Sequence, residues 1–161
     1  FCRLNGEAEQ IAHLERATRR DPVNAAAWAE LSRIHLRREQ WDDAVSTLKR
    51  HVALDAADTK ARERLGFAYF RLARYADAAD AYAAIVEREP KIAAYRNSLA
   101  GAFLMLGDAA RAVEQFQAAV RLAPTDARLR LNLAKAYEQA GRADEAAAEY
   151  AAYDALQANR E

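Results

Sequence analysis

The chain has 161 residues, 52% of them hydrophobic, which is enough to bury the core of one ordinary domain. Three prolines and five glycines are few, and the abundance of alanine, leucine, glutamate and arginine is typical of helices, which argues against a sheet or a disordered chain. The 24 lysines and arginines balance 24 aspartates and glutamates, so no whole-chain field attracts nucleic acid or an anionic membrane.

A spacing of 34 residues recurs along the chain. It places leucine on leucine and alanine on alanine, at Leu31, Leu65, Leu99 and Leu133 and at Ala44, Ala78, Ala112 and Ala146. A fixed period of this length indicates stacked units with one continuous core, because a single unit cannot bury its apolar face alone. Within each unit the apolar residues recur at i, i+3 and i+7, which favours helices over strands.

The chain begins with half of such a unit, at residues 1–24. Ile11, Leu14 and Ala17 take helical spacing there, and the register, continued backward, places Phe1 inside a helix. Four complete units are predicted to follow at residues 25–58, 59–92, 93–126 and 127–160. We expect all five segments to form one solenoid domain. The start within a unit indicates a processed product or a piece of a longer repeat array.

Residues that begin and end helices occupy fixed places in the period. Asn24, Asp58 and Asp126 precede first helices and are predicted N-caps, whose side chains accept otherwise unpaired backbone N–H groups. Pro90 and Pro124 are expected to end second helices, because proline donates no hydrogen bond. Small residues are expected to let paired helices approach closely, at Gly66, Ala100 and Ala134 and at Ala78, Ala112 and Ala146.

Arranged in this way, the units resemble the tetratricopeptide repeat, whose pattern is W-x2-L-G-x2-Y, then A-x3-F, then P over 34 residues. The third unit matches this pattern at Leu99, Ala100, Phe103, Ala112, Phe116 and Pro124, and the other units match it in the same register. The departures are arginine for tryptophan and alanine for proline, at Arg62, Arg96 and Arg130 and at Ala56 and Ala158. The resemblance implies a right-handed superhelical solenoid of antiparallel helix pairs, whose first helices line a concave groove for peptides or partner proteins.

In this family the groove is lined by fixed positions of each unit, which can be transferred to this sequence. The residues that the resemblance selects for partner binding are Arg33, Leu36, Arg37, Lys60, Phe67, Phe70, Arg71, Asn97, Leu104, Met105, Arg128, Leu131 and Lys135. Leu36, Phe70 and Leu104 form an apolar row, and six cations face only two acids at groove positions, Glu63 and Glu138. The sequence therefore predicts a partner segment with acidic and large apolar side chains.

A plainer interpretation of the same residues stays open. The apolar row is then covered by neighbouring helices, and the arginines are a solvated face. Some members of the family also grip a terminal carboxylate with a set of Lys, Asn, Asn, Lys and Arg. The corresponding positions here do not carry that set, so a carboxylate clamp of that kind is not expected.

Chemistry of other kinds is not encoded by any motif that we find. The sequence lacks phosphate-binding glycine loops, a nucleophile elbow and a zinc-protease motif, and its single cysteine, Cys2, has no partner for a disulfide or a metal. His35 and His51 occupy packing positions, His13 has little support as a ligand, and Asp42 and Asp43 suit the start of a helix. We therefore predict no enzyme, no cofactor and no metal site.

Three functions of different classes follow. The leading prediction is a non-catalytic scaffold that binds a protein or peptide in its groove. The alternative is oligomerisation through uncapped ends, because Tyr150, Tyr153 and Leu156 would face a further helix. RNA binding by a helical repeat is less favoured, because the net charge is zero and the units end in proline.

The compartment stays undecided between cytoplasm and periplasm. No stretch reaches the roughly 18 apolar residues of a membrane span, so a soluble protein without membrane insertion is predicted. The chain starts with Phe1 and carries no basic and apolar leader, so a targeting signal could have been removed. The frequent alanine and arginine suggest a bacterial source.

Overall fold

The computed structural model describes the backbone of residues 2–158 and the side chains of residues 8–158. In this part the chain forms helices and no strands, and the helices are α1 Cys2–Arg20, α2 Ala25–Arg37, α3 Trp41–Leu54, α4 Thr59–Arg71, α5 Tyr75–Arg88, α6 Ala93–Met105, α7 Ala109–Leu122, α8 Ala127–Gln139 and α9 Ala143–Ala158. Predictions about Phe1, the Cys2 side chain and the last residues of the fourth unit lie outside the described residues.

Short connections join successive helices. Residues 38–40, 106–108 and 140–142 link α2 to α3, α6 to α7 and α8 to α9, and connections this short make consecutive helices antiparallel. Packing divides the chain into two compact units, each larger than one 34-residue repeat. The first unit ends at Arg74, and the second unit begins at Tyr75. No helix among the described residues is both long and apolar enough to cross a bilayer.

The predicted N-caps are confirmed. Asn24, Asp58 and Asp126 each precede a helix and accept a backbone N–H bond, from Ala27 at 3.0 Å, from Ala61 at 2.9 Å and from Arg128 at 3.0 Å. Asp108 caps α7 in the same way, with the backbone N–H of Arg111 at 3.0 Å. These bonds satisfy donors that the first turn of a helix leaves unpaired, so local chemistry fixes where the helices begin.

The short connections share one unusual backbone position. Residues 39, 73, 107 and 141 are 34 apart and all have positive φ, at 54° for Glu39, 57° for Ala73, 79° for Gly107 and 71° for Gly141. Glycine adopts this conformation without steric cost, whereas a side chain makes it unfavourable. The turn geometry is therefore kept in all four 34-residue repeats, even where the residue is not glycine.

Both units bury large apolar side chains. In the first unit Leu31, Ile34 and Leu48 are at most 2% exposed. In the second unit one cluster joins helices α6 to α9, and its members include Ala100, Ala112, Phe116, Leu133, Tyr137 and Ala146. Ala100 and Ala112 expose none of their surface, which is the tight packing expected of small residues between paired helices.

The structure also explains why arginine replaces tryptophan. The indole Nε1 of Trp28 donates to the carbonyl of Pro22 at 2.9 Å, six residues earlier. Arginine makes the equivalent bond in the later 34-residue repeats, from Arg62 to Ala56 at 3.3 Å, from Arg96 to Pro90 at 2.9 Å and from Arg130 to Pro124 at 3.3 Å. Both residue types place a side-chain N–H on a carbonyl before the helix, so the departure from the repeat pattern keeps the interaction.

Replacing Arg96 by methionine should therefore lower the free energy of unfolding by about 1–2 kcal/mol, because two hydrogen bonds are lost. Besides Pro90, Arg96 donates to Oε1 of Gln115 at 2.9 Å. Arg96→Trp retains a donor for the proline carbonyl and should lose less. Urea unfolding followed by circular dichroism measures both, with Arg121→Met as an exposed control; equal losses for Arg96→Met and Arg96→Trp would refute the shared role.

Candidate functional site

In the first unit the predicted apolar groove residues are neither covered nor fully open. Leu36 and Phe70 are half-buried, and Phe67 is 45% exposed. The aromatic ring of Phe67 meets the ring of Trp41 edge to face, with centroids 5.7 Å apart and planes at 80°. Trp41 is half-buried at the start of α3, so α3 and α4 together present an aromatic surface.

Three predicted cations of this unit lie beside carboxylates. Arg33 Nη1 lies 3.3 Å from Glu30 Oε2, Lys60 Nζ lies 3.0 Å from Glu63 Oε2, and Arg71 Nη2 lies 3.8 Å from Glu39 Oε2. With Arg37, which is also exposed, four cations meet three carboxylates, so their balance is +1. The strong local excess of positive charge that the sequence predicts is thus largely neutralised. The prediction counted groove positions only, and these do not include Glu30 and Glu39.

Arg71 differs from the other cations in its contacts. Its guanidinium carbon lies 4.3 Å from the centre of the Trp41 ring and 5.9 Å from that of Phe67. A cation over an aromatic face is attracted by the ring electrons, and the stack also fixes the guanidinium plane. The structure therefore brings Phe67 and Arg71, two predicted site residues, into one cluster with Trp41 and Glu39. We call these four residues the aromatic cluster.

The second unit presents a different mixture. Met105 is 51% exposed, Leu104 and Leu131 are half-buried, and Lys135 is exposed. Leu104 packs against the core cluster of this unit, which agrees with the plainer interpretation for that residue.

Polar side chains meet between α6 and α8. Asn132 Nδ2 donates to Asn97 Oδ1 at 2.8 Å, and Arg128 Nη2 lies 3.1 Å from Asp126 Oδ2. These four residues and Ser98 contribute to the lining of a cavity of about 250 Å³. The hydrogen bonds from Arg128, first from its side chain and then from its backbone, lower the pKa of Asp126, while burial opposes the shift. Because Asp126 already holds Arg128, this cavity adds little positive charge for an acidic ligand.

A further group joins one histidine and two aspartates in the first unit. Ligand atoms of His51, Asp55 and Asp58 lie within 4.8 Å of one another, a juxtaposition that sequence reasoning missed. His51 Nε2 is 3.5 Å from Asp58 Oδ2, whereas its buried Nδ1 has no hydrogen-bond partner among the described residues. A metal on Nε2 would move the proton to Nδ1, where it would be a buried donor without an acceptor. The group fits the tautomer with its proton on Nε2 better than it fits a metal.

The sequence predicts that His35 and His51 occupy packing positions in the core. His35 and His51 are 8% and 6% exposed, so both are buried as predicted. His35 Nδ1 lies 3.1 Å from Gln40 Oε1. Both residues line a cavity of about 660 Å³ between α1, α2 and α3. Thr18 and Thr47 on its wall donate to carbonyls of their own helices. None of the predicted groove residues lines this cavity.

The last helix keeps its aromatic residues partly accessible. Tyr150, Tyr153 and Leu156 are half-buried. The hydroxyl of Tyr150 donates to Glu138 Oε2 at 2.9 Å, and this bond to a carboxylate raises the pKa of Tyr150. Glu138, a predicted acid of the groove, thus accepts a hydrogen bond from Tyr150.

Comparison with protein families decides how this architecture is classified. One model of the tetratricopeptide repeat matches residues 11–59 and 64–127, and a second matches residues 103–161. The chain belongs to the tetratricopeptide repeat family. Tetratricopeptide repeats serve in general as non-enzymatic scaffolds for protein interaction, which supports that general role here.

Solved structures of MamA share this tetratricopeptide fold. One crystal structure has a TM-score of 0.86 at 23% identity and covers 98% of this chain and 87% of its own. MamA from Desulfovibrio magneticus has a TM-score of 0.85 at 18% identity, over 99% of this chain and 90% of its own. At these identities the likeness concerns the fold alone, and it confirms the predicted all-α class. No curated protein matches the chain in sequence.

Proposed function

We propose that this tetratricopeptide chain is a non-catalytic scaffold that binds a segment of a partner protein at predicted groove positions. The exposure of Phe67 carries the proposal. Val23, Leu54, Ile92, Met105, Leu106 and Leu122 are the other exposed large hydrophobic residues in the described part, and they lie at helix ends or in connections. Phe67 alone lies inside a helix, in α4, where an apolar side chain is ordinarily buried.

The preferred segment offers large apolar side chains and carboxylates. An aromatic ring that is 45% exposed gains contact area when a partner's apolar side chain covers it. The preference for acids is local, because nearby carboxylates neutralise most of the cations in the first unit. Association should therefore depend on individual arginines more than on long-range steering.

Selection of random peptides displayed on phage tests this function. We expect the retained peptides to be enriched in Asp or Glu together with Phe, Leu or Trp. Phe67→Ala should weaken their binding by about tenfold or more, as truncation of an aromatic anchor does. Leu54→Ala is the matched control, because Leu54 is 39% exposed at the end of α3 in the same unit.

Circular dichroism first establishes that both variants keep the helical content of the parent chain. Equal affinity of Phe67→Ala and the parent would remove the proposed surface. Enrichment of basic or purely polar peptides would leave a scaffold with a different ligand preference.

The second candidate function is self-association through α9. Its support is that Ala146 is the one fully buried side chain in this helix, while Tyr150, Tyr153 and Leu156 keep accessible surface. Sedimentation velocity at increasing concentration tests it. Monomers throughout the range would exclude this candidate without affecting peptide binding.

A further inference from the structure

Glu39 stands at a place where the chain otherwise uses small residues. Its equivalents at the 34-residue spacing are Ala73, Gly107 and Gly141, and all four positions have positive φ. Any residue with a Cβ atom is unfavourable in this conformation, so glutamate gives the turn no conformational advantage over glycine. The side chain is also 68% exposed, which excludes a packing role.

Among the described residues, Glu39 forms an ion pair with Arg71. Its Oε2 lies 3.8 Å from Arg71 Nη2, beyond the 2.7–2.9 Å of a direct charged hydrogen bond. The Arg71 guanidinium is held by Trp41 at 4.3 Å, and its side chain is still 42% exposed. Arg71 therefore keeps donors that a better placed carboxylate could use in bidentate geometry.

The neighbour of this guanidinium is the exposed ring of Phe67. The ring centre lies 5.9 Å from the guanidinium carbon, so a ligand that covers Phe67 would bring its adjacent residue next to Arg71. An apolar side chain with a carboxylate on the neighbouring residue matches this pair in both shape and charge.

We propose that Arg71 is a carboxylate subsite for the partner segment, and that Glu39 occupies it as an internal competitor in the free chain. The occupant is a peptide that carries Asp or Glu beside a large apolar residue, with the apolar side chain on Phe67 and the carboxylate on Arg71. The proposal rests on the proposed function, and it adds a competing group that the groove positions of the sequence did not include.

The test uses a fluorescein-labelled peptide with a central Asp-Phe pair flanked by glycine and serine, measured by fluorescence anisotropy. Glu39→Gln removes the competing charge and keeps the side-chain length, and it should tighten binding about threefold, the size of an exposed ion pair. Arg71→Gln should weaken binding about tenfold. In the Arg71→Gln background, Glu39→Gln should have no further effect, because its target is gone.

Two controls separate competition from general charge. Glu114→Gln makes the same change in net charge on α7, in the second unit, and should leave the affinity unchanged. A peptide with Asn-Phe in place of Asp-Phe should bind parent and Glu39→Gln equally. Glu39→Gly also relieves the unfavourable φ, so it should tighten binding and raise the melting temperature, which excludes misfolding as the cause of any change.

The outcomes distinguish this inference from the broader function. If Glu39→Gln and Glu39→Gly bind the Asp-Phe peptide no more tightly than the parent while Phe67→Ala weakens it, the competitor is refuted and the scaffold function stands. If the parent binds the Asp-Phe peptide no better than the Asn-Phe peptide, the carboxylate subsite itself is refuted. If neither peptide binds the parent or any variant, the carboxylate subsite is refuted, whereas the scaffold function is decided separately by the selection of random peptides.

Discussion

Replacing Leu133 by alanine should lower the free energy of unfolding by about 2–5 kcal/mol. Leu133 is 2% exposed and belongs to the cluster that joins α6 to α9, together with Phe116 and Tyr137. The truncation removes apolar contacts and leaves a cavity that the surrounding helices fill only in part. Because a marginally stable domain has a net stability of only about 5–15 kcal/mol, a loss of this size takes a large fraction of it.

Urea unfolding followed by circular dichroism is the suitable measurement. Trp28 and Trp41 both lie before residue 75, so tryptophan fluorescence reports on the first unit, whereas circular dichroism also follows the second. Leu122→Ala is the control, since Leu122 is 41% exposed and its truncation should change stability by no more than about 0.5 kcal/mol. Equal transitions for Leu133→Ala and the parent would show that the cluster is not a cooperative core.

The fold could be predicted from the sequence because its determinants are local and repeated. Leu133 and the caps Asn24, Asp58 and Asp126 occupy fixed places in a 34-residue period, and a cap needs only a backbone N–H two or three residues ahead. The helices α2, α4, α6 and α8 begin at residues 25, 59, 93 and 127, the same spacing as the period. Repetition supplies four estimates of one pattern, which makes a degenerate motif specific.

The candidate site was predicted less completely because its chemistry depends on contacts between residues far apart in sequence. Groove positions name Arg71 of α4 but not Glu39 or Trp41, which come from the connection between α2 and α3 and from the start of α3. The bond between Asn97 and Asn132 joins residues 35 apart, one more than the period, so it requires the stagger of neighbouring helices. A period places equivalent residues, whereas ion pairs join residues that are not equivalent.

Arg96, which replaces tryptophan, shows that comparison by residue type can hide an interaction that the fold keeps. By residue type it is a departure from the family pattern, yet the bond to the Pro90 carbonyl is kept. Comparison by chemical class, with both residues counted as long N–H donors, would have found the equivalence in the sequence. The aromatic cluster could not be found in this way, because Trp41, Phe67 and Arg71 occupy non-equivalent positions of the 34-residue period.

Replacing Ala100 by leucine should lower the free energy of unfolding by about 1–3 kcal/mol, although leucine is the more hydrophobic residue. Ala100 exposes none of its surface and lies in the α6 to α9 cluster with Ala112 and Phe116. A larger side chain there must displace its neighbours or take a strained rotamer. Intrinsic helix propensity contributes little to the change, because alanine and leucine are both strong helix formers.

Ala110→Leu is the matched control, since Ala110 is exposed on α7 and undergoes the same change in propensity and volume. Its stability should change by no more than about 0.5 kcal/mol in the same urea experiment. The sign of the Ala100 result distinguishes two physical origins of the core. A core that required only buried apolar area would gain stability from leucine, whereas a core that requires close approach of paired helices loses it. A more stable Ala100→Leu chain would therefore refute close helix approach as the reason for alanine at this position of the repeat.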